Sequence, residues 1–203
     1  TTLFRSNLMT YEGVRGAEWY NNGPEFTTTA PEHNTILPFT RNVVGAMDYT
    51  PVTFTNSQYP HTTSYGHELA LSVLFESGIQ HFADRPEGYY ALPDAAKTFL
   101  RDVPNAWDDI KFIDGYPGKD VIIARKKGNG WYIGGINADN MHEKTKKLSF
   151  AFLPDSVKYK LTLIADGKHD KDFATRYLVV DKTSTLNVKM LRRGGFVISL
   201  KPY

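Results

Sequence analysis

Two carboxylates near the N-terminus, Glu12 and Glu18, stand six positions apart across a stretch punctuated by Gly13 and Gly16. Glu12 follows a short apolar run, residues 7–11, and two later runs close on acids in the same way. Residues 46–50 carry Asp48 beside Tyr49 and Thr50, and residues 79–83 lead into Asp84. A carboxyl group delivered into a glycine-bearing loop can give up a proton, accept one, or ligate a hard cation. The structural reading of the same residues is an ion pair: Arg15 lies between the two glutamates and could fix the loop through either. Glu25 sits in polar surroundings, and Glu32 reads as a helix cap whose charge faces the positive end of the dipole. His67-Glu68 invites comparison with the helical zinc motif, but that motif needs a second histidine four residues on, and position 71 is Leu. Asp139, Asn140 and His142 form a polar hairpin tip with little to support a metal site.

These residues need elements to hold them. Three short apolar runs that each end at an acid, with helical patterns between, predict successive β/α units. In a (β/α) barrel the catalytic groups sit at the C-terminal ends of the strands and on the loops after them. Residues 27–33 read as polar loop and 32–44 as a helix with Pro38 near its start. Residues 67–77 give the clearest helix: Leu69 with Val73, and Ala70 with Leu74, make i, i+4 apolar pairs, and Gly78 is placed as its C′ residue. Residues 93–103 form a last amphipathic helix, closed by Pro104. The polar stretch 51–65 is long for a compact domain, and such loops tend to be functional.

After Trp107 the pattern changes to short strands: 110–113, 121–125, 131–136, 148–152, 159–164, 177–180, 186–190 and 196–200. Turn signals such as Tyr116-Pro117-Gly118 and Gly128-Asn129-Gly130 separate them. The alternation in LSFAFL and LNVKML argues for an antiparallel β-sandwich. The expected fold is therefore α/β followed by all-β, with barrel units over 7–105 and a sandwich over 106–203. Three strands of a barrel leave Leu8, Met47 and Phe82 without an opposite wall, so the barrel part is expected to be poorly stable and the sandwich to stand on its own core.

The words EGVRGAEW (12–19), PEHNTILPFTR (31–41) and GAMDYTP (45–51), in this order, resemble the catalytic barrel of glycoside hydrolase family 97. That family comprises calcium-dependent α-glucosidases and α-galactosidases of bacterial glycan degradation. The resemblance implies a C-terminal part of such an enzyme, acting on terminal α-glycosidic bonds of oligosaccharides. It implies that Glu18 is the general acid and that Glu12 is one ligand of a Ca²⁺ ion. It places the nucleophile or base, and the other calcium ligands, on earlier strands. Asp48, His33, His67 and Asp84 would line the barrel mouth, and Trp19, Tyr20, Tyr49, Tyr89 and Tyr90 could stack on sugar rings or pack in the core. The resemblance also implies oligomer contacts through the C-terminal domain and a periplasmic or secreted location, with any signal peptide outside this sequence. The alternative is a non-catalytic carbohydrate-binding or oligomerisation module carried by the sandwich.

Composition bounds these readings. The net charge of +2 over 203 residues is too small to argue for nucleic acid, and no apolar run would span a membrane. The absence of cysteine removes disulfides, thiolate metal sites and a cysteine nucleophile. The first six residues, TTLFRS, do not fit the pattern that begins at Asn7 and read as an adapter-derived leader on a truncated reading frame from environmental DNA.

Overall fold

In the computed structural model, which describes residues 9–56 and 58–203, the turn signals of the C-terminal half do what their chemistry allows. Gly118 and Gly128 take φ of 77° and 56°, conformations that cost glycine little. They sit in the turns that join β1 (Asp109–Tyr116), β2 (Asp120–Lys127) and β3 (Gly130–Asn137). The chain crosses to β4 (Lys144–Ser149), returns through β5 (Tyr159–Asp166) and β6 (Phe173–Val180), crosses again to β7 (Thr185–Met190) and ends in β8 (Gly195–Pro202). One sheet has the order β1-β2-β3-β8-β5-β6, the other pairs β4 with β7, and all pairings are antiparallel. The expected sandwich is present.

Successive side chains leave a strand on opposite faces. One face of the large sheet, with Ile122, Ala124, Ile133, Leu161, Leu163, Ile198 and Leu200, meets Leu148, Leu186, Val188 and Met190 of the small sheet. The other face, with Val121, Ile123, Ile136, Ile164 and Val197, shares a core with the N-terminal half. The element that covers it is α3 (Tyr65–Leu74). Every residue from Gly66 to Leu74 is buried, so the helix is enclosed all round rather than amphipathic at a surface. Gly134 lets it settle on the sheet: a Cβ there would stand 2.9 Å from the Ala70 carbonyl oxygen.

Both ends of α3 are tied to strands. At its start Ser64 caps the helix, accepting from the His67 N–H at 3.0 Å, and its hydroxyl donates to Asp166 of β5. Asp166 also accepts from the Leu191 and Gly195 N–H groups, both at 2.8 Å. At the other end the Arg125 guanidinium of β2 donates to the Val73 and Leu74 carbonyls at 2.7 and 3.0 Å and reaches Glu76 at 3.2 Å. A cation on the last carbonyls of a helix satisfies orphan acceptors and opposes the dipole. The sandwich has the core of its own that the sequence leads one to expect, but the outer face of its large sheet is covered by α3.

The N-terminal half departs from the sequence reading in three places. Among the described residues, 9–107 contain no strand. The segments read as parallel strands run alongside each other with scattered bonds: Asp48 N–H to Tyr11 O, Gly78 N–H to Met9 O, both 3.1 Å, and Ala83 N–H to Pro51 O at 2.9 Å. A parallel ladder needs evenly spaced bonds along the strand, and these segments make only isolated ones. Met47 nevertheless is buried and Phe82 is half-buried against the same core, because the segments fold onto α3 instead of facing an empty barrel. Leu8, like the TTLFRS leader, lies outside the described residues.

The second departure is α1 (Pro24–Ile36), which covers the expected polar loop. Pro24 opens it at a position where a missing N–H costs nothing. Thr27, Thr28, Thr29 and Thr35 return their hydroxyls to carbonyls three or four residues back at 2.7–3.2 Å. Pro31 cannot donate to Thr27 O, and the Thr62 hydroxyl fills that place at 2.8 Å. Glu32 therefore lies inside a helix and caps none. Beyond a 3₁₀ turn at Leu37–Phe39 the chain adds α2 (Arg41–Val44). Third, α3 ends at Leu74, so Gly78 is not its C′ residue. It is small because a Cβ would come within 2.6 Å of Met9 O. The short α4 (Pro86–Tyr90) and α5 (Asp94–Asp102) complete the layer.

Candidate active site

Gly16 lets two loops touch, since a Cβ there would collide with the Tyr49 carbonyl and the Glu18 carboxylate. Ala17 N–H then donates to Tyr49 O at 2.9 Å, and a 3₁₀ turn at Ala17–Asn21 carries Glu18 outward. Glu18 is exposed. Its N–H donates to the Thr50 hydroxyl at 3.3 Å, and that hydroxyl donates in turn to the Glu18 carboxylate. One hydroxyl thus grips both the main chain and the side chain of the predicted acid. Glu18 borders a cleft of about 250 Å³ shared with Tyr20, Thr53, Tyr59, His61, Asp84 and Arg85.

Glu12 lies elsewhere. It is exposed on a loop, and its carbonyl, with those of Tyr11, Gly45 and Ala46, accepts from the Arg41 guanidinium. Glu12 does not line the Glu18 cleft. Among the described residues no three His, Cys, Asp or Glu gather as a metal site. Calcium takes six to eight oxygen ligands, so the residues present do not by themselves fit the ion. Arg15, the alternative partner for both glutamates, instead donates to Thr29 at 3.3 Å and lies over the Phe26 ring at 5.0 Å.

The other sequence candidates divide. Asp84 does reach the cleft, and its carboxylate accepts from the N–H groups of Phe54 at 2.6 Å and Thr55 at 2.9 Å. Asp48 pairs with exposed His81 at 3.1 Å. His33 is half-buried beside Tyr49, and burial lowers its pKa to about 4, helped by the Arg15 charge. His67 is no mouth residue: it is enclosed in α3, 3.1 Å from the Asn34 amide nitrogen, and burial drives its pKa down to about 3. Tyr49 and Tyr20 belong to the core, where the Tyr49 hydroxyl donates to Asn34 at 2.5 Å and lies 3.4 Å from the Tyr20 hydroxyl. Tyr89 donates to Val52 O at 3.0 Å. Trp19 and Tyr90 keep exposed rings. Asp139 caps its own turn, accepting from Met141 and His142 N–H groups at 2.8 and 2.9 Å.

Sequence reasoning did not single out four contributors: Thr50, Thr53, His61 and Glu68. His61 stacks between Tyr20 and Tyr65, and burial lowers its pKa to about 4. Glu68 is wholly buried, accepts from the Thr63 hydroxyl at 2.5 Å and the Thr53 N–H at 3.3 Å, and is pushed up to about 7 by desolvation. The unusual length of the 51–65 stretch signalled Thr53 and His61, while Thr50 and Glu68 lie outside it.

Residues 106–201 match the family described as "Glycosyl-hydrolase 97 C-terminal, oligomerisation". Over 94% of its length the chain is 40% identical to a probable retaining alpha-galactosidase of Streptomyces bingchenggensis, and over 96% it is 30% identical to a retaining alpha-galactosidase of Bacteroides thetaiotaomicron. It spans only 28% and 31% of those two proteins. A family 97 glycoside hydrolase from Pseudoalteromonas sp. strain K8, solved with panose, superposes on 98% of the chain with a TM-score of 0.84 and 31% identity, the chain covering 32% of it. A beta-arabinopyranosidase structure superposes on 91% with a TM-score of 0.79 and 26% identity, the chain covering 30% of it.

Proposed function

We propose that this chain is a segment of a family 97 glycoside hydrolase that carries the family's C-terminal domain, and that it supplies the general acid to an enzyme hydrolysing terminal α-galactosides or α-glucosides. The observation that carries the reading is Glu18: an exposed carboxyl at the edge of a cleft, gripped at its N–H and its carboxylate by the Thr50 hydroxyl. Hydrolysis needs one carboxyl to protonate the leaving oxygen and a second group to attack or to activate water. Glu18 serves as the first. The second comes from chain outside this sequence, as do the oxygens that complete a calcium site around Glu12. Residues 9–105 then act as the last β/α units of a barrel. Their scattered parallel contacts become a ladder when the remaining strands are supplied, a reading supported by superposition of nearly the whole chain on a family 97 enzyme. The family's address implies a periplasmic or secreted enzyme.

Glu18→Gln in the full-length enzyme tests the role of the acid. Hydrolysis of an aryl α-galactoside with a poor leaving group is expected to fall about 10²–10⁴-fold, since protonation of the leaving oxygen is lost. Unchanged turnover would remove Glu18 from that role. Calcium removal with EDTA is expected to abolish activity, and rates that survive complete removal would remove the metal.

A second reading concerns residues 106–203 as an oligomerisation module. Exposed apolar side chains on both edge strands favour it: Ile110, Phe112 and Tyr116 on β1, Tyr177 and Val179 on β6. Sedimentation of the 203-residue chain at increasing concentration tests it, and a monomer throughout would sink it.

A further inference from the structure

Thr50 and Val52 hold φ of 53° and 71°. A β-branched residue reaches this left-handed region only against steric resistance, and such a conformation persists where its surroundings over-determine it. Here the surroundings tie down almost every residue of the segment. Tyr49 O accepts from Ala17 N–H, Pro51 O accepts from Ala83 N–H, both at 2.9 Å, and Val52 O accepts from the Tyr89 hydroxyl at 3.0 Å. Then come three consecutive N–H donors. Thr53 gives its N–H to the buried Glu68 carboxylate at 3.3 Å, and Phe54 and Thr55 give theirs to Asp84 at 2.6 and 2.9 Å. The Thr55 hydroxyl also donates to Asp84. Two carboxylates, one on α3 and one after the third expected strand, thereby gather a run of donors that would otherwise favour a relaxed loop. What the strained turn presents to Glu18, at the edge of the cleft, is the Thr50 hydroxyl, which accepts from the Glu18 N–H, donates to its carboxylate and also lies 2.6 Å from Tyr49 O.

We propose that Glu68 and Asp84 are positioning residues that fix the main chain at 53–55, hold Thr50 in its left-handed conformation, and so aim the Glu18 carboxyl for proton transfer. The inference rests on Glu18 being the general acid. Without the Thr50 hydroxyl an exposed glutamate on a 3₁₀ turn samples several rotamers. Small misplacements of a catalytic group are costly, because the rate depends on near-attack geometry.

The test uses the full-length enzyme carrying this sequence and two aryl α-galactosides, one with a poor leaving group that needs protonation and one with 2,4-dinitrophenolate, which does not. Thr50→Val keeps the branched shape and removes the hydroxyl. It is expected to lower kcat about 10–100-fold on the poor leaving group and less than about 3-fold on the good one, with KM unchanged. Thr50→Ser restores the first rate. Asp84→Asn and Glu68→Gln give the same leaving-group split at about 10-fold. In the 203-residue chain, Asp84→Asn also speeds amide exchange at Phe54 and Thr55 relative to the α3 amides. Equal losses on both substrates, or none, overturn the proposal, because a merely structural defect lowers both alike. Glu18→Gln separates the two ideas: if it shows the split and Thr50→Val does not, positioning fails alone; if it shows none, the assignment of the acid fails first.

Discussion

The two faces of the six-stranded sheet are closed by different chemistry. Toward β4 and β7 the closure is apolar, with Phe150, Met190, Val188, Ile198 and Leu200 interdigitated and almost fully buried. Toward α3 the apolar contacts are equally dense, but they are interleaved with buried ionisable and amide groups: Glu68, His67, His61, Asn34, Arg125 and Asp166. The first face follows from alternation and needs nothing beyond complementary shape. The second buries polar groups whose partners fix loops and helix ends, as at Asp166 and Arg125, although among the described residues His61 Nε2 and His67 Nδ1 have no hydrogen-bond partner. The face that carries the predicted chemistry is the one held by directional bonds.

The largest test of this contrast is to separate the faces. Residues 108–203 expressed alone would expose Val121, Ile123, Ile136, Ile164 and Val197, each worth about 1.5–3 kcal/mol of burial. The isolated sandwich is therefore expected to aggregate or to melt well below the whole chain. Limited proteolysis of the 203-residue chain should leave a fragment that retains α3. A stable, monomeric 108–203 would show that the α3 face is dispensable.

Next in size are paired cavity variants. Leu71→Ala on α3 and Leu161→Ala inside the sandwich should each cost about 2–5 kcal/mol by denaturant unfolding. Both should lower one shared transition. Two separate transitions would mean that the faces unfold independently. Smaller again is Arg125→Met, which leaves the Val73 and Leu74 carbonyls without their donor at the end of α3. A loss of about 2–3 kcal/mol is expected. Arg125→Lys should recover only part, since an ammonium cannot reproduce the fork.

Acid–base behaviour should also sort by face. Burial pushes the Glu68 carboxyl up to about 7 from an ordinary 4.5. The folded state then holds a proton that the unfolded state has released between those values. That contribution is complete below about 4.5 and is lost as pH rises through 7. His67 works in the opposite sense: its pKa is lowered to about 3 from 6.5, so its contribution is present above 6.5 and lost as pH falls toward 3. Glu68→Gln should remove the decline between pH 4.5 and 7 in a melting-temperature series, and a profile identical to that of the parent chain would count against the burial argument. The smallest expected change is Tyr177→Ser, on the exposed edge of β6. Stability should move by less than about 0.5 kcal/mol, while any self-association through that edge weakens.

The sequence alone determined the strands and class of the β-sandwich, because two-residue alternation and glycine turns are local signals, although the β3–β8, β5–β8 and β4–β7 pairings join strands far apart in the chain. It also determined the short 12–18 spacing that puts Glu18 on a loop edge beside Gly16. Local patterns misled at residues 24–36, where threonines that look like loop satisfy their own hydroxyls inside a helix, and at 46–50, where a strand-like run makes only scattered bonds to the segments beside it. What only the tertiary structure decided is which polar residues meet. Thr50 stands 32 residues from Glu18, Asp166 is 102 residues from Ser64, and Arg125 is 51 from Leu74. No periodicity records such pairs. They form because folding brings distant segments together: Gly16 lets the Glu18 loop touch the Tyr49–Thr50 turn, and α3 settles on a sheet built from the later half of the chain, where polar groups taken out of water gain by finding a partner within reach.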